Sequence, residues 1–247
     1  MSRPLSSGAR ALPASPGLAA SPELAVSPFL LAETGPVAER LTALGVPRRL
    51  RAGDVVMRQG ELQSCLHVLT TGRLRLSLLR PGGGERVLAY AEPGSSVGET
   101  ACVDRGPRAA TAVAVLDSEV ASVSRDALLA AARADPELLL EVARRVAHKQ
   151  HVLHLHLALD ALPARERMVL LISHLADAHG EPGPDGLVRL RLQLAVDDLA
   201  ALVGLTRVTA SRELSRLVAE GVLLKQRRSF VVRDRPALRR LAAAVGV

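Results

Sequence analysis

Between residues 36 and 130 the apolar residues come in strand-sized runs, and glycines cut them at Gly53, Gly60, Gly72, Gly82, Gly83, Gly84, Gly94, Gly98 and Gly106. The runs read CLHVL, RLRLSLL, RVLAYA and ATAVAVL, with period-two alternation clearest in RLRLSLL. Many short strands separated by glycine turns predict a compact antiparallel barrel or sandwich. With two Phe, one Tyr and no Trp in 247 residues, its core must be aliphatic. The same scarcity argues against a single-strand or RNA binder that stacks bases on aromatic platforms.

After SRDALLAAARADPE the period becomes helical, and residues 136 to 160 read as one long helix. Within it Leu139, Ala143, Val146, Gln150, Leu153 and Leu157 follow steps of 4, 3, 4, 3 and 4, the seam of a coiled coil. A parallel homodimer is expected along it; an amphipathic helix packed only on its own domain is the alternative. A further helix is expected from about 163 to 179, ended by HGEPGPDG, whose Pro and Gly residues form a loop. The whole divides into a disordered arm over 1–35, an all-β module over 36–134, a dimerisation helix over 135–161 and a basic domain over 162–247, an α+β organisation. The arm mixes Ser, Pro, Ala and Gly without periodicity or a secretory apolar segment. No run is long enough to span a membrane, which with the cysteine usage suggests a cytoplasmic setting.

Residues 186 to 247 hold twelve Lys or Arg against five Asp or Glu, a net of +7 that equals the formal charge of the chain. A basic domain at the end of a dimer helix points toward double-stranded DNA. In LAVDDLAALVGLTRVTASRELSRLVAEGVLL, Asp197 or Asp198 starts a helix burying Leu199, Leu202 and Val203, Gly204 permits a tight turn, and Thr206 caps the next helix. On that second helix Ala210, Leu214 and Leu217 face inward, with Val208, Ser211, Arg212, Ser215 and Arg216 opposite. Arg207 and Arg212 flank its amino-terminal half, suited to the two-pronged pairing of arginine with guanine. Thr209 and Ser211 are candidates for phosphate or base-edge hydrogen bonds. VLLKQRRSFVVRD then reads as a two-stranded wing whose tip, Arg227 and Arg228, contacts phosphates.

GETACVDRGPRAATAV, residues 98 to 113, places Glu99 and Arg108 nine positions apart between strand-like runs. A buried phosphate needs a guanidinium and N–H donors, and small Ala109 and Ala110 let amides approach. An ion pair between Glu99 and Arg108 is the simpler alternative. Cys65 and Cys102, the two cysteines, are too few for a disulfide framework; Cys65 shows no flanking basic partner in sequence. His148, His151, His154 and His156 lie within nine residues of the long helix, and pairs three apart offer an alternative metal site.

Taken in order, GDVVMRQGE, VLTTGRLRL, LAYAEPGSSVGET and VGLTRVTASREL resemble the β-roll turns and recognition element of the Crp/Fnr family of bacterial transcription regulators, over roughly residues 45 to 235. The resemblance implies an N-terminal cyclic nucleotide-binding β-roll and a C-terminal winged helix-turn-helix. It also implies a homodimeric, non-enzymatic regulator that binds a two-fold symmetric operator and contacts RNA polymerase. GETACVDRGPRAAT resembles the family's phosphate-binding cassette. By it Glu99 would accept the ribose 2′-hydroxyl and Arg108 would pair with the cyclic phosphate, with Gly98, Thr100, Ala109, Ala110 and Thr111 completing the pocket.

Departures from the cyclic-AMP receptor pattern are Ala109 for a serine, Lys149 and Gln150 for the Thr-Ser pair that reads adenine, and Val208 for a glutamate. Ala110, where guanine-selective cassettes carry Thr, leans to cyclic AMP. The iron–sulfur branch of the family uses four cysteines, and the arm before residue 45 has none, which excludes it. The mechanism expected is a ligand at Glu99 and Arg108 that touches Gln150 across the seam and sets the spacing of two recognition helices. A regulator active without nucleotide, or sensing another ligand, metal or haem, is the alternative.

Overall fold

The glycine-cut runs pair into two sheets in the computed structural model, which describes residues 29–33, 35–80, 84–190, 194–226 and 229–245. One sheet has the order β1 (Leu30–Leu31), β6 (Glu85–Ala91), β5 (Leu74–Leu79), β8 (Thr111–Ala114), β3 (Val55–Met57). The other runs β2 (Val46–Leu50), β9 (Ser118–Ser124), β4 (Cys65–Thr71), β7 (Ser96–Val97). All pairs are antiparallel except β1 on β6. Alternation sends Leu74 and Leu76 of β5, Ala89 and Ala91 of β6, Leu69 of β4 and Val120 of β9 into one aliphatic core between the sheets. At the β4–β5 turn, Gly72 has φ +88, and a Cβ there would lie 2.1 Å from Ser118 Oγ.

Four helices flank the roll: α1 (Pro36–Ala43), α2 (Glu99–Asp104), α3 (Arg125–Ala134) and α4 (Glu137–Asp160). Ser124 Oγ caps α3 by accepting from Ala127 N at 3.1 Å. Helix α4 carries two stripes. Leu138, Val142, Arg145, Val152, His156 and Leu159 are buried against the roll. On the other side Leu139, Leu153 and Leu157 are 40%, 39% and 70% exposed, and Ala143 and Gln150 are exposed beside them.

The C-terminal part contains α5 (Ala164–His179), α6 (Val196–Leu202), α7 (Arg207–Ala219) and α8 (Arg235–Ala243). Its sheet has the order β10 (Gly180–Pro182), β11 (Val188–Leu190), β13 (Ser229–Val232), β12 (Leu223–Gln226). HGEPGPDG is therefore not a plain loop, since its first half forms β10. Leu199, Leu202, Val203, Ala210, Leu214 and Leu217 share one core with Met168 and Leu171 of α5. That core continues into the roll through Phe29, Val87 and Tyr90, and Tyr90 Oη donates to Asp198 Oδ1 at 2.7 Å.

The expected arm is cut short. Residues 1–28 lie outside the described residues, but Phe29, Leu30 and Leu31 are at most 1% exposed. Tyr90 N donates to Phe29 O and Glu92 N to Leu31 O, so this strap is part of the roll. Three apolar residues are too few for periodicity to reveal them. Among the described residues no helix is long and apolar enough to cross a membrane.

Candidate functional site

Gly98 adopts a left-handed conformation, φ +84, and caps α2, so that Glu99 is the first residue of a short helix rather than part of a loop. A Cβ on Gly98 would lie 2.1 Å from Arg108 NH1 and 3.1 Å from Met57 Sδ, which leaves glycine the only fit. Arg108 is 2% exposed. Its NH1 donates to Cys65 O at 2.6 Å and Gly98 O at 2.9 Å; its NH2 meets Cys65 Sγ at 3.1 Å and Gln63 Oε1 and His67 Nε2 at 3.4 Å. Its Nε is buried without a partner among the described residues.

Glu99 and Arg108 do not bridge each other. Glu99, 2% exposed, accepts at Oε1 from Ser96 Oγ and from Lys149 Nζ, the latter at 2.6 Å. Burial works against the Lys149 ammonium, but Glu99 and then Glu33 outweigh it and raise its pKa. Lys149 reaches across a cavity of about 120 Å³ lined by Gly98, Glu99, Thr100, Arg108, Ala109 and Ala110, together with Lys149 and Val152 of α4. Ligand clefts usually measure roughly 300–1,000 Å³, so with Lys149 in this position the pocket is narrow.

Two predicted pocket residues lie elsewhere. Thr111 does not line the cavity; its Oγ1 accepts from Gln59 N at 3.0 Å. Gln150 is exposed on the outward stripe of α4, one residue past the inward Lys149. A step of 100° around the helix separates them.

The sequence reading missed Glu33, Ser96, Arg145 and His67 here. Glu33 of the strap accepts from Arg145 NH1 at 2.7 Å, Ser96 N at 3.0 Å and Lys149 Nζ at 3.3 Å. Burial raises its pKa, but His148, Lys149 and Arg145 prevail and hold it at about 2. His67 is 3% exposed and bonded to Ser122 Oγ. Burial first, then the charges of Arg108 and Arg48, lowers its pKa to about 4. Cys65 lies against both Arg108 and His67, so the expectation of no basic partner is overturned. The alternation of CLHVL put Cys65 and His67 on one face, the only signal available; Arg108 arrives from 43 residues away. Cys102 is fully buried, with its thiol pKa pushed up by that burial.

The histidine cluster splits by face. His156 is buried, contacting Arg86 at 3.0 Å and Leu88 O at 2.6 Å; His148 faces Glu33 at 3.6 Å. His151 and His154 are exposed.

In the basic domain, Thr206 Oγ1 caps α7 by accepting from Thr209 N at 3.2 Å and meets Thr209 Oγ1 at 2.9 Å. Gly204, φ +65, makes the turn from α6. Ala210, Glu213, Leu214 and Leu217 are buried. Val208, Ser211, Arg212, Ser215 and Arg216 are exposed along one face. Arg207 pairs with Asp197 at 2.7 Å and Arg216 with Glu213 at 2.8 Å; Arg212 has no ion pair among the described residues. In the wing Gln226 pairs with Ser229, and the tip residues Arg227 and Arg228 lie outside the described residues.

Residues 47–135 match the cyclic nucleotide-binding domain, and residues 166–241 match the Crp-like helix-turn-helix domain. The chain is 34% identical over 191 residues to a protein described as cyclic AMP receptor protein from Thermus thermophilus, covering 77% of this chain and 85% of that one. It is 26% identical over 209 residues to a CRP-like cAMP-activated global transcriptional regulator of Mycobacterium tuberculosis, covering 83% and 90%. The solved structure of FixK2 from Bradyrhizobium japonicum shares the fold, with a TM-score of 0.67 at 24% identity over 80% of this chain and 96% of that one.

Proposed function

The chain belongs to the Crp/Fnr family of transcription regulators, and from that premise we propose that it acts as a homodimer whose grip on a two-fold symmetric operator is set by cyclic AMP in the β-roll. It is a DNA-binding regulator, not an enzyme. The single observation that carries the allosteric reading is the double role of α4. Lys149, Val152 and Leu153 line the cavity, while Leu153, 39% exposed, also borders the outward stripe on which Leu139 and Leu157 are exposed. A ligand that moves the cavity-lining residues must move the stripe, and with it whatever lies across the seam.

The donor set fits a cyclic nucleotide. Arg108, with a buried and unpartnered Nε, would hold the phosphate. Glu99 would accept a ribose hydroxyl, and Ala109 and Ala110 leave room for close approach. Gln150 of each subunit, on the outward stripe, would reach the partner's nucleotide. Two cysteines fall short of the four thiolates of an iron–sulfur cluster, which supports nucleotide over cluster as effector.

On DNA, Arg207, Val208, Ser211 and Arg212 present the base-reading face of α7. Thr206, Thr209 and Arg216 position it, and Arg227 and Arg228 add phosphate contacts. RNA polymerase is the further partner expected of such a regulator. A mobility-shift assay on a selected operator, with and without cyclic AMP, cyclic GMP and cyclic di-GMP, tests the reading. Cyclic AMP should strengthen the shift. A shift indifferent to all three nucleotides removes the effector and leaves DNA binding standing.

A further inference from the structure

Positive charge in this chain is carried almost wholly by arginine: of 32 basic Lys and Arg residues only Lys149 and Lys225 are lysines. Lys149 sits between carboxylates from two different elements, with Glu99 Oε1 at 2.6 Å and Glu33 Oε1 at 3.3 Å. A compact ammonium fits that gap where a planar guanidinium would need a wider one. Glu33 is itself fixed, with its side chain 8% exposed. Arg145 NH1, Ser96 N and Ser96 Oγ donate to its Oε2 at 2.7, 3.0 and 3.1 Å, and Arg145 NH2 donates to its backbone O at 3.4 Å.

These contacts leave two groups available at one corner of the cavity. An ammonium has three N–H donors, and the two carboxylates use two of them. Both protein bonds to Glu99 fall on Oε1, so Oε2 has no partner among the described residues. An adjacent free donor and free carboxylate oxygen are complementary to a hydroxyl, which accepts from the first and donates to the second. A hydrogen atom at the same place would leave both unpaired.

We propose that Glu33 is a positioning residue of the effector site, holding Lys149 against Glu99 so that the pair together reads a ribose 2′-hydroxyl and discriminates against deoxyribose. The inference rests on the nucleotide reading of the pocket and assigns the strap and Lys149 a place in it. Without Glu33 the ammonium, on its four-carbon stem, keeps one carboxylate partner instead of two and its third N–H loses direction. Lys149 then belongs to the sugar end of the site rather than to the base.

Calorimetry with cyclic AMP and 2′-deoxy-cyclic AMP on the full-length protein tests this. Sites built to hydrogen-bond a hydroxyl reject the analogue lacking it strongly, and the wild type should favour cyclic AMP by about a hundredfold or more. Lys149→Met should cut that ratio by about tenfold. Glu33→Gln should cut it less, and the double variant should fall no further than Lys149→Met alone, as expected if Glu33 acts through Lys149. In the ligand-free protein, the Lys149 ammonium should give a ¹⁵N resonance protected from exchange, with only Lys225 as a second lysine signal, and Glu33→Gln should remove that protection.

An unchanged ratio in both single variants overturns the inference. So does an equal gain in affinity for both nucleotides in Lys149→Met, which would make the lysine a plug. A wild type that binds neither nucleotide instead defeats the effector reading, and this inference with it.

Discussion

Gly98→Ala tests whether the buried guanidinium is held in place by the cradle around it. At φ +84 the left-handed backbone alone costs an alanine about 1–2 kcal/mol. The new methyl would also lie 2.1 Å from Arg108 NH1. A flexible arginine on the surface would swing aside at little cost, but this one is 2% exposed and bonded to Cys65 O and Gly98 O. Losing one charge-assisted hydrogen bond costs about 1.5–3 kcal/mol, so Gly98→Ala should lose about 3–5 kcal/mol in all. In an Arg108→Met background the collision is gone and only the backbone cost of about 1–2 kcal/mol should remain. Urea denaturation of the four full-length proteins gives both numbers and their coupling, expected to exceed about 1.5 kcal/mol. Equal costs in the two backgrounds, within about 0.5 kcal/mol, would refute the cradle.

Four further outcomes follow from named residues. His67 is held near pKa 4 by burial and by the charges of Arg108 and Arg48, so the unfolded chain takes up its proton first on acidification. Stability is then lost between about pH 6.5 and 4, by about 3 kcal/mol, and His67→Gln should flatten that slope in urea midpoints measured from pH 7 down to 4.5. Arg212→Ala should weaken a selected operator by about 1–3 kcal/mol and relax one base position, read by anisotropy against a panel of single-base variants. Arg227→Ala with Arg228→Ala should instead weaken all sites alike and shallow the salt dependence. Leu157→Asp, at a position 70% exposed in the single chain, should convert the dimer to monomer in sedimentation equilibrium at micromolar protein.

Period and punctuation made the architecture legible. Glycine-cut runs became β4, β5, β6 and β8, the 4-3-4-3-4 stripe became the outer face of α4, and Thr206 and Gly204 bounded α7 as capping rules require. In the pocket, Gly98, Glu99 and Arg108 could be read together because they lie on one short stretch of chain. What the sequence hid came from elsewhere. Glu33 sits in a tail whose composition reads as disorder, and only its burial against Arg145, 112 residues away, gives it a role. Lys149 looked like a base-side residue because Lys149 and Gln150 stand where the cyclic-AMP receptor pattern carries its adenine-reading Thr-Ser pair, yet one helical step turns Lys149 inward to Glu99 while Gln150 faces out. Thr111 ends the cassette in sequence but serves Gln59. Local pattern predicts faces; it does not say which distant residue meets them.

The coupling of pocket to DNA is tested most directly by one titration: fluorescence anisotropy of a labelled two-fold symmetric operator against the full-length protein, with and without saturating cyclic AMP. The account predicts two chains per duplex and binding at least about tenfold tighter with the nucleotide, a coupling of about 1.4 kcal/mol or more. One chain per duplex, or superimposable curves in the two conditions, would contradict it.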